Sequence, residues 1–176
     1  MRSTRAAEPV SELGPLDRPM AGPVAIVVTR ELTAEERAWL DSYVRHASTA
    51  VEGDSFWVPP RDAPAADPAD SRPFIWSVGP FQEPGGEEIR RRFGFDPRIE
   101  VVFAAMCNSD EDHRLLARLC EAAARQLHGV IDFTGHLPGA PSSVDESQLL
   151  DVGDRHVGTP DFLATWSANP AFWMVK

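Results

Sequence analysis

The chain has 176 residues, with 27 acidic against 17 basic side chains and a formal net charge of −10. That length fits one domain better than two, and a chain of this size buries roughly 70% of the surface its unfolded form exposes, so its core needs no disulfide or metal staple. The acidity argues against a phosphate-backbone binder, which needs a basic face, and against docking on anionic lipid; it is compatible with keeping a small protein soluble, or with binding a basic partner.

Residues 1–19 are rich in Pro, Ser, Arg and Glu and show no period, which predicts a disordered N-terminal extension. Met20 then opens a single domain over residues 20–176. The start lacks the apolar core of a signal peptide, and no stretch reaches the ~18 apolar residues of a membrane span. The two thiols, Cys107 and Cys120, lack metal spacing and fit a reducing compartment as small buried hydrophobes. The expected location is the cytoplasm, with no membrane partner.

Residues 23–30 form a continuous β-branched run, the pattern of a strand buried on both faces. Thr33 and Glu36 make a capping box for a helix. Its stripe of Trp39, Leu40, Tyr43, Val44 and Ala47 runs to about Ala47. Residues 56–59 run into Pro59-Pro60 and read as an edge strand; residues 74–78 read as another strand. The two are expected to form a hairpin across the polar loop 60–72. A short helix over 85–94 follows, with Glu87 facing Arg91 and Glu88 facing Arg92, and Gly94 at its C-cap.

Residues 98–107 read as a central strand. Ser109 or Asp110 caps the next helix, which carries Leu116, Leu119, Cys120, Ala123 and Leu127 at helical spacing and is stopped by Gly129. Residues 130–137 read as a strand. Residues 138–158 read as a long polar loop with one apolar island, Leu149-Leu150, a length that is uncommon unless functional. Thr159 at N-cap and Pro160 at N1 start a last helix bearing Phe162, Leu163 and Trp166. The order of elements predicts an α+β fold: a mixed, mostly antiparallel sheet with helices packed on one face.

No Walker loop, Rossmann glycine pattern, nucleophile elbow or zinc signature is present. Gly85-Gly86 leads into Glu87-Glu88, which repel an anion. No cofactor and no metal is therefore predicted. His46 and His128 sit near helix C-termini, and His113 lies among the first-turn acids Asp110, Glu111 and Asp112; the helix dipole accounts for all of them. His136 and His156 have no such account. Asp132 interrupts the apolar strand Val130-Ile131-Asp132-Phe133, where a buried acid is costly unless paired. It faces solvent, bonds backbone amides in a turn, or belongs to a site.

If the long loop folds over that strand end, Asp132, His136, Asp154, Arg155 and His156 converge there, where α/β proteins place sites. An acid and histidines can do general acid–base work. A Cys107–His nucleophile pair lacks a neighbouring cation, so Cys107 reads as inert. Trp57 and Trp76, on the two aromatic strands, are the candidate partner-binding residues. Without a basic groove they are poor platforms for nucleobases, so no nucleic-acid partner is expected.

The C-terminal half resembles a known pattern. It consists of an Asp-rich helix start with His113, then Gly129-Val130-Ile131-Asp132-Phe133-Thr134-Gly135, then His156-Val157, Asp161-Phe162-Leu163, Trp166, Asn169-Pro170, Phe172 and Met174-Val175-Lys176. This is similar to a domain-of-unknown-function family of small bacterial proteins; 16 arginines against the single Lys176 fit a high-GC genome. The resemblance covers residues 100–176 and transfers no catalytic residue. In style such proteins are similar to immunity proteins. Two functions are therefore set side by side: a non-enzymatic binding protein for a basic partner, and a small-ligand binder or hydrolase-type enzyme built on Asp132, His136 and His156.

Overall fold

The computed structural model describes residues 22–60, 68–137 and 147–175. The predicted extension over residues 1–19 lies outside them. In chain order the elements are β1 (Val24–Thr29), α1 (Ala34–Ala47), β2 (Ala50–Glu52), β3 (Ser55–Val58), β4 (Arg72–Pro80), α2 (Gly86–Phe93), β5 (Ile99–Ala105), α3 (Asp110–Gln126), β6 (Val130–Asp132), β7 (Leu149–Val152), β8 (Arg155–Gly158) and α4 (Pro160–Ser167). The strands form one sheet in the order β2-β3-β4-β5-β1-β6-β8-β7. Each pairing in it is antiparallel, so the fold is α+β. No helix among the described residues is long and apolar enough to cross a membrane.

β1 lies inside the sheet between β5 and β6, which explains its unbroken apolar run. Strand residues alternate between faces. Ala25 and Val27 join the core beneath α1, α3 and α4, along with Phe74, Val101, Phe103 and Ile131. We call this the front face. Val28 and Val130 point the other way and pack with Ile89 of α2. Three helices thus share the front face, and the short α2 covers part of the back.

Local sequence sets the helix ends. Both residues of the predicted Thr33–Glu36 capping box make their bonds. The Arg30 guanidinium and the Thr33 amide hold the Glu36 carboxyl down at about 2. Ser109 and Asp112 form a second box at α3. At the far end of α3, Gly129 N–H donates to Ala124 O, and His128 sits at φ 51°, a left-handed position that glycine fills most cheaply. Arg90 of α2 pairs with Glu87 one turn away, so the predicted Glu87–Arg91 pairing is replaced by an i,i+3 pair.

The structure corrects three boundaries. β3 is not an edge strand, because β2 pairs with its outer side. β6 ends at Asp132, since Thr134 at φ 60° turns the chain out of the sheet. The stretch read as a structureless loop contains the β7–β8 hairpin. Both unforeseen hairpins close on the same pair of residue types, Gly53-Asp54 and Gly153-Asp154. Each loop has a positive φ at its glycine alone, 60° and 63° respectively, which the missing Cβ permits.

Candidate functional site

The predicted convergence divides into two clusters on opposite faces. Asp132 stands opposite Val157 in the ladder, so the two side chains share the back face. Arg155, two residues before Val157, shares it as well. His156 lies between them and therefore projects to the front, where Asp151 stands opposite it.

On the back face, Asp132 is 1% and Arg155 8% exposed at the side chain, and Arg155 Nε donates to Asp132 Oδ2 at 2.6 Å. Asp132 Oδ1 accepts the Thr134 amide at 2.8 Å, the bond that starts the turn after β6. Arg155 Nη2 donates to Pro84 O at 2.5 Å, tying β8 to the loop before α2. Of the three roles open to Asp132, solvent exposure is removed and the turn bond is made. Burial pushes its carboxyl above the ordinary range, against the pull of the Thr134 amide and Arg155. A small cavity of about 190 Å³ opens beside the pair, lined by Ile26, Glu83, Asp132, Thr134, Asp154 and Arg155. Its charge is mostly negative, and its one cation is already committed.

On the front face, His156 Nε2 lies 2.8 Å from Asp151 Oδ1 and 3.3 Å from His136 Nδ1. The Leu137 amide donates to His156 Nδ1 at 3.0 Å. Nδ1 is therefore an acceptor, and the neutral ring carries its proton on Nε2, donated toward Asp151. Burial lowers the pKa of His156, and His136 adds to that, while Asp151 opposes it. A ring with both nitrogens engaged is poorly placed as a general base. Asp154, named with this group in the sequence, is exposed at the β7–β8 turn.

Trp57 and Trp76 also divide between faces. Trp57 lies between Phe56 and Val58, which face the front core, so it projects to the back. It borders a shallow depression of about 150 Å³ with Thr49, Ala50 and Glu52. Trp76 stands opposite Phe103 and projects to the front. There it lines a cleft of about 440 Å³ between α1 and the β4 end of the sheet, with Leu32 and Leu40 as apolar walls and Asp41, Asp54 and Arg37 at the polar margin. Arg37 pairs with Glu31. Val78, 38% exposed, continues the apolar surface. The Trp76 indole N–H is buried and meets no acceptor among the described residues, and a buried indole N–H normally has one.

His46, His113, Cys120 and Asp112 take structural roles. His46 Nδ1 bonds Ser42 O at the end of α1. His113, read from sequence as a first-turn histidine, is fully buried; it accepts the Met174 amide and meets Asn108, fastening the C-terminal segment to α3. Cys120 is buried in the core, and burial raises its thiol pKa. Asp112, also fully buried, accepts both bonds of an Arg72 fork at 2.8 Å. Its unusual burial was invisible in sequence because first-turn acids are normally solvated.

An eight-stranded antiparallel sheet with three helices on one face defines an α+β fold whose sites must be read from their own chemistry. The family described as "Family of unknown function (DUF6368)" matches residues 21–176, and the chain belongs to that family. Comparison with curated proteins gives no match, and comparison with solved structures gives none.

Proposed function

We propose that this chain is a non-enzymatic cytoplasmic binding protein, immunity-like in style, that receives a basic side chain of a protein partner in the Trp76 cleft. The observation that carries the reading is the cleft's composition: an indole and two leucines inside, with Asp41 and Asp54 at the margin. A lysine or arginine has a long apolar stem and a cationic head, so it matches both parts. A cation over an indole face adds about 0.5–2 kcal/mol, depending on desolvation. The net charge of −10 steers a basic partner toward the chain and makes association salt-dependent. Trp57, on the other face, does not share this contact and is a separate surface.

A short lysine- and arginine-rich peptide tests the reading by calorimetry at low and high salt. Trp76→Leu and the double variant Asp41→Asn/Asp54→Asn are each expected to weaken binding at least tenfold, with folding checked by circular dichroism. Equal affinity in all three proteins would remove the cleft as the site.

The alternative, an enzyme or small-ligand site on Asp132, His136 and His156, has less support. Asp132 is paired with Arg155 on the back face, and His156 has both nitrogens engaged on the front.

A further inference from the structure

We propose that His136, Asp151 and His156 form a binding site for a zinc-class divalent cation on the front face, beside the β7–β8 hairpin. The three residues offer ligand atoms that face one another. His136 Nδ1 lies 3.3 Å from His156 Nε2 and 3.7 Å from Asp151 Oδ1, and the last two atoms are 2.8 Å apart. A tetrahedral ion with bonds of about 2.0–2.1 Å holds its ligand atoms about 3.3–3.4 Å apart. The three atoms thus already outline one face of such a tetrahedron, to within about 0.6 Å. Two imidazoles and a carboxylate are a donor set that zinc accepts. His136 and Asp151 are 56% and 75% exposed, so an ion can enter from solvent and keep a water in the fourth position.

Two of the ligands sit on hydrogen-bonded backbone. Asp151 and His156 face each other across the β7–β8 ladder. The His156 amide donates to Gly135 O at 3.1 Å, holding the segment that carries His136 against β8. An acidic cluster alone carries no such meaning. Here two imidazole nitrogens converge on one carboxylate oxygen from different segments of chain.

Binding has a specific consequence at Leu137. Without the ion, the His156 proton is on Nε2 and the Leu137 N–H occupies Nδ1. An ion at Nε2 takes the place of that proton. The neutral ring then carries its proton on Nδ1, facing the Leu137 N–H, so that hydrogen bond opens. Proton count is unchanged; the tautomer shifts and one amide loses its acceptor.

The test titrates the full chain with zinc or cobalt ions and reads stoichiometry, the cobalt visible spectrum and the backbone amide spectrum. The expected result is saturable one-to-one binding, at least tenfold weaker in His136→Ala and in Asp151→Asn, both at exposed positions. A tetrahedral cobalt band and a large shift of the Leu137 amide accompany it. Binding should also weaken in acid, because an imidazole must be unprotonated to ligate a metal ion. No saturable binding overturns the proposal. So does binding that both variants leave unchanged, and so does binding that leaves the Leu137 amide in place.

Discussion

Replacing Arg155 with leucine isolates the buried charge of Asp132. The two side chains are 8% and 1% exposed and share a 2.6 Å bond, so neither has water to fall back on. Removing one partner of a buried ion pair costs about 3–5 kcal/mol, because the remaining charge stays uncompensated. The Arg155 bond to Pro84 O is lost as well, which adds about 1 kcal/mol. A total near 5 kcal/mol lowers Tm by about 10–20 °C for a domain of this size.

Urea unfolding followed by circular dichroism measures the loss. The pH dependence has a defined sign. Burial already raises the Asp132 carboxyl, and losing the cation raises it further. The variant's deficit therefore grows as pH rises through the raised folded-state value and shrinks in mild acid, where the buried carboxyl is protonated. Adding Asp132→Leu to Arg155→Leu removes the stranded charge and recovers most of the loss. A single-variant loss below about 1 kcal/mol, or a double variant no better than the single, would refute the reasoning.

Asp112→Ala removes a capping-box partner and the buried acceptor of the Arg72 fork; Arg72 is itself 32% exposed and can re-solvate, so urea unfolding should show a loss of about 2–4 kcal/mol. His128→Gly places the residue that suits φ 51° after α3 and should raise stability by about 0.5–1 kcal/mol in the same assay. The lowered His156 pKa means that the unfolded chain holds that proton more tightly. The stability it contributes is complete above the ordinary imidazole value and is lost as pH falls through the lower folded value. Stability measured across that interval should change less in His156→Gln than in the parent chain. Gly85→Ala sets a Cβ against Val152 at φ 92° and should destabilise α2, seen as faster amide exchange at Ile89.

Elements with strong local signals were legible in sequence. Thr33 and Glu36 announce α1, Ser109 announces α3, and Thr159-Pro160 announces α4, because caps are decided within four residues. The β-branched run of β1 gave away its central place. The β2–β3 and β7–β8 hairpins were not read, although Gly53-Asp54 and Gly153-Asp154 are two-residue turn signals. The strands beside them are three or four residues long, too short to show a period among polar neighbours. The site followed the same limit. Asp132 stands out in the sequence because an acid in an apolar strand demands a partner, but the partner, Arg155, sits on a four-residue strand whose sequence shows no strand period. Placing Asp132 with His156 failed to separate the faces, since face assignment needs the register that only the β6–β8 pairing supplies. Asp151 carried no signal at all. It becomes notable only once β7 sets it opposite His156.

Whether the Trp76 cleft takes a basic side chain is read most directly from a proton–nitrogen spectrum recorded while a short lysine- and arginine-rich peptide is added. Five tryptophans give five indole resonances, which single substitutions assign. The Trp76 indole and the amides of Asp41, Asp54 and Val78 should shift together and saturate, while the Trp57 indole stays in place. A saturating response at Trp57 alone, or no response at Trp76, would contradict binding in the cleft.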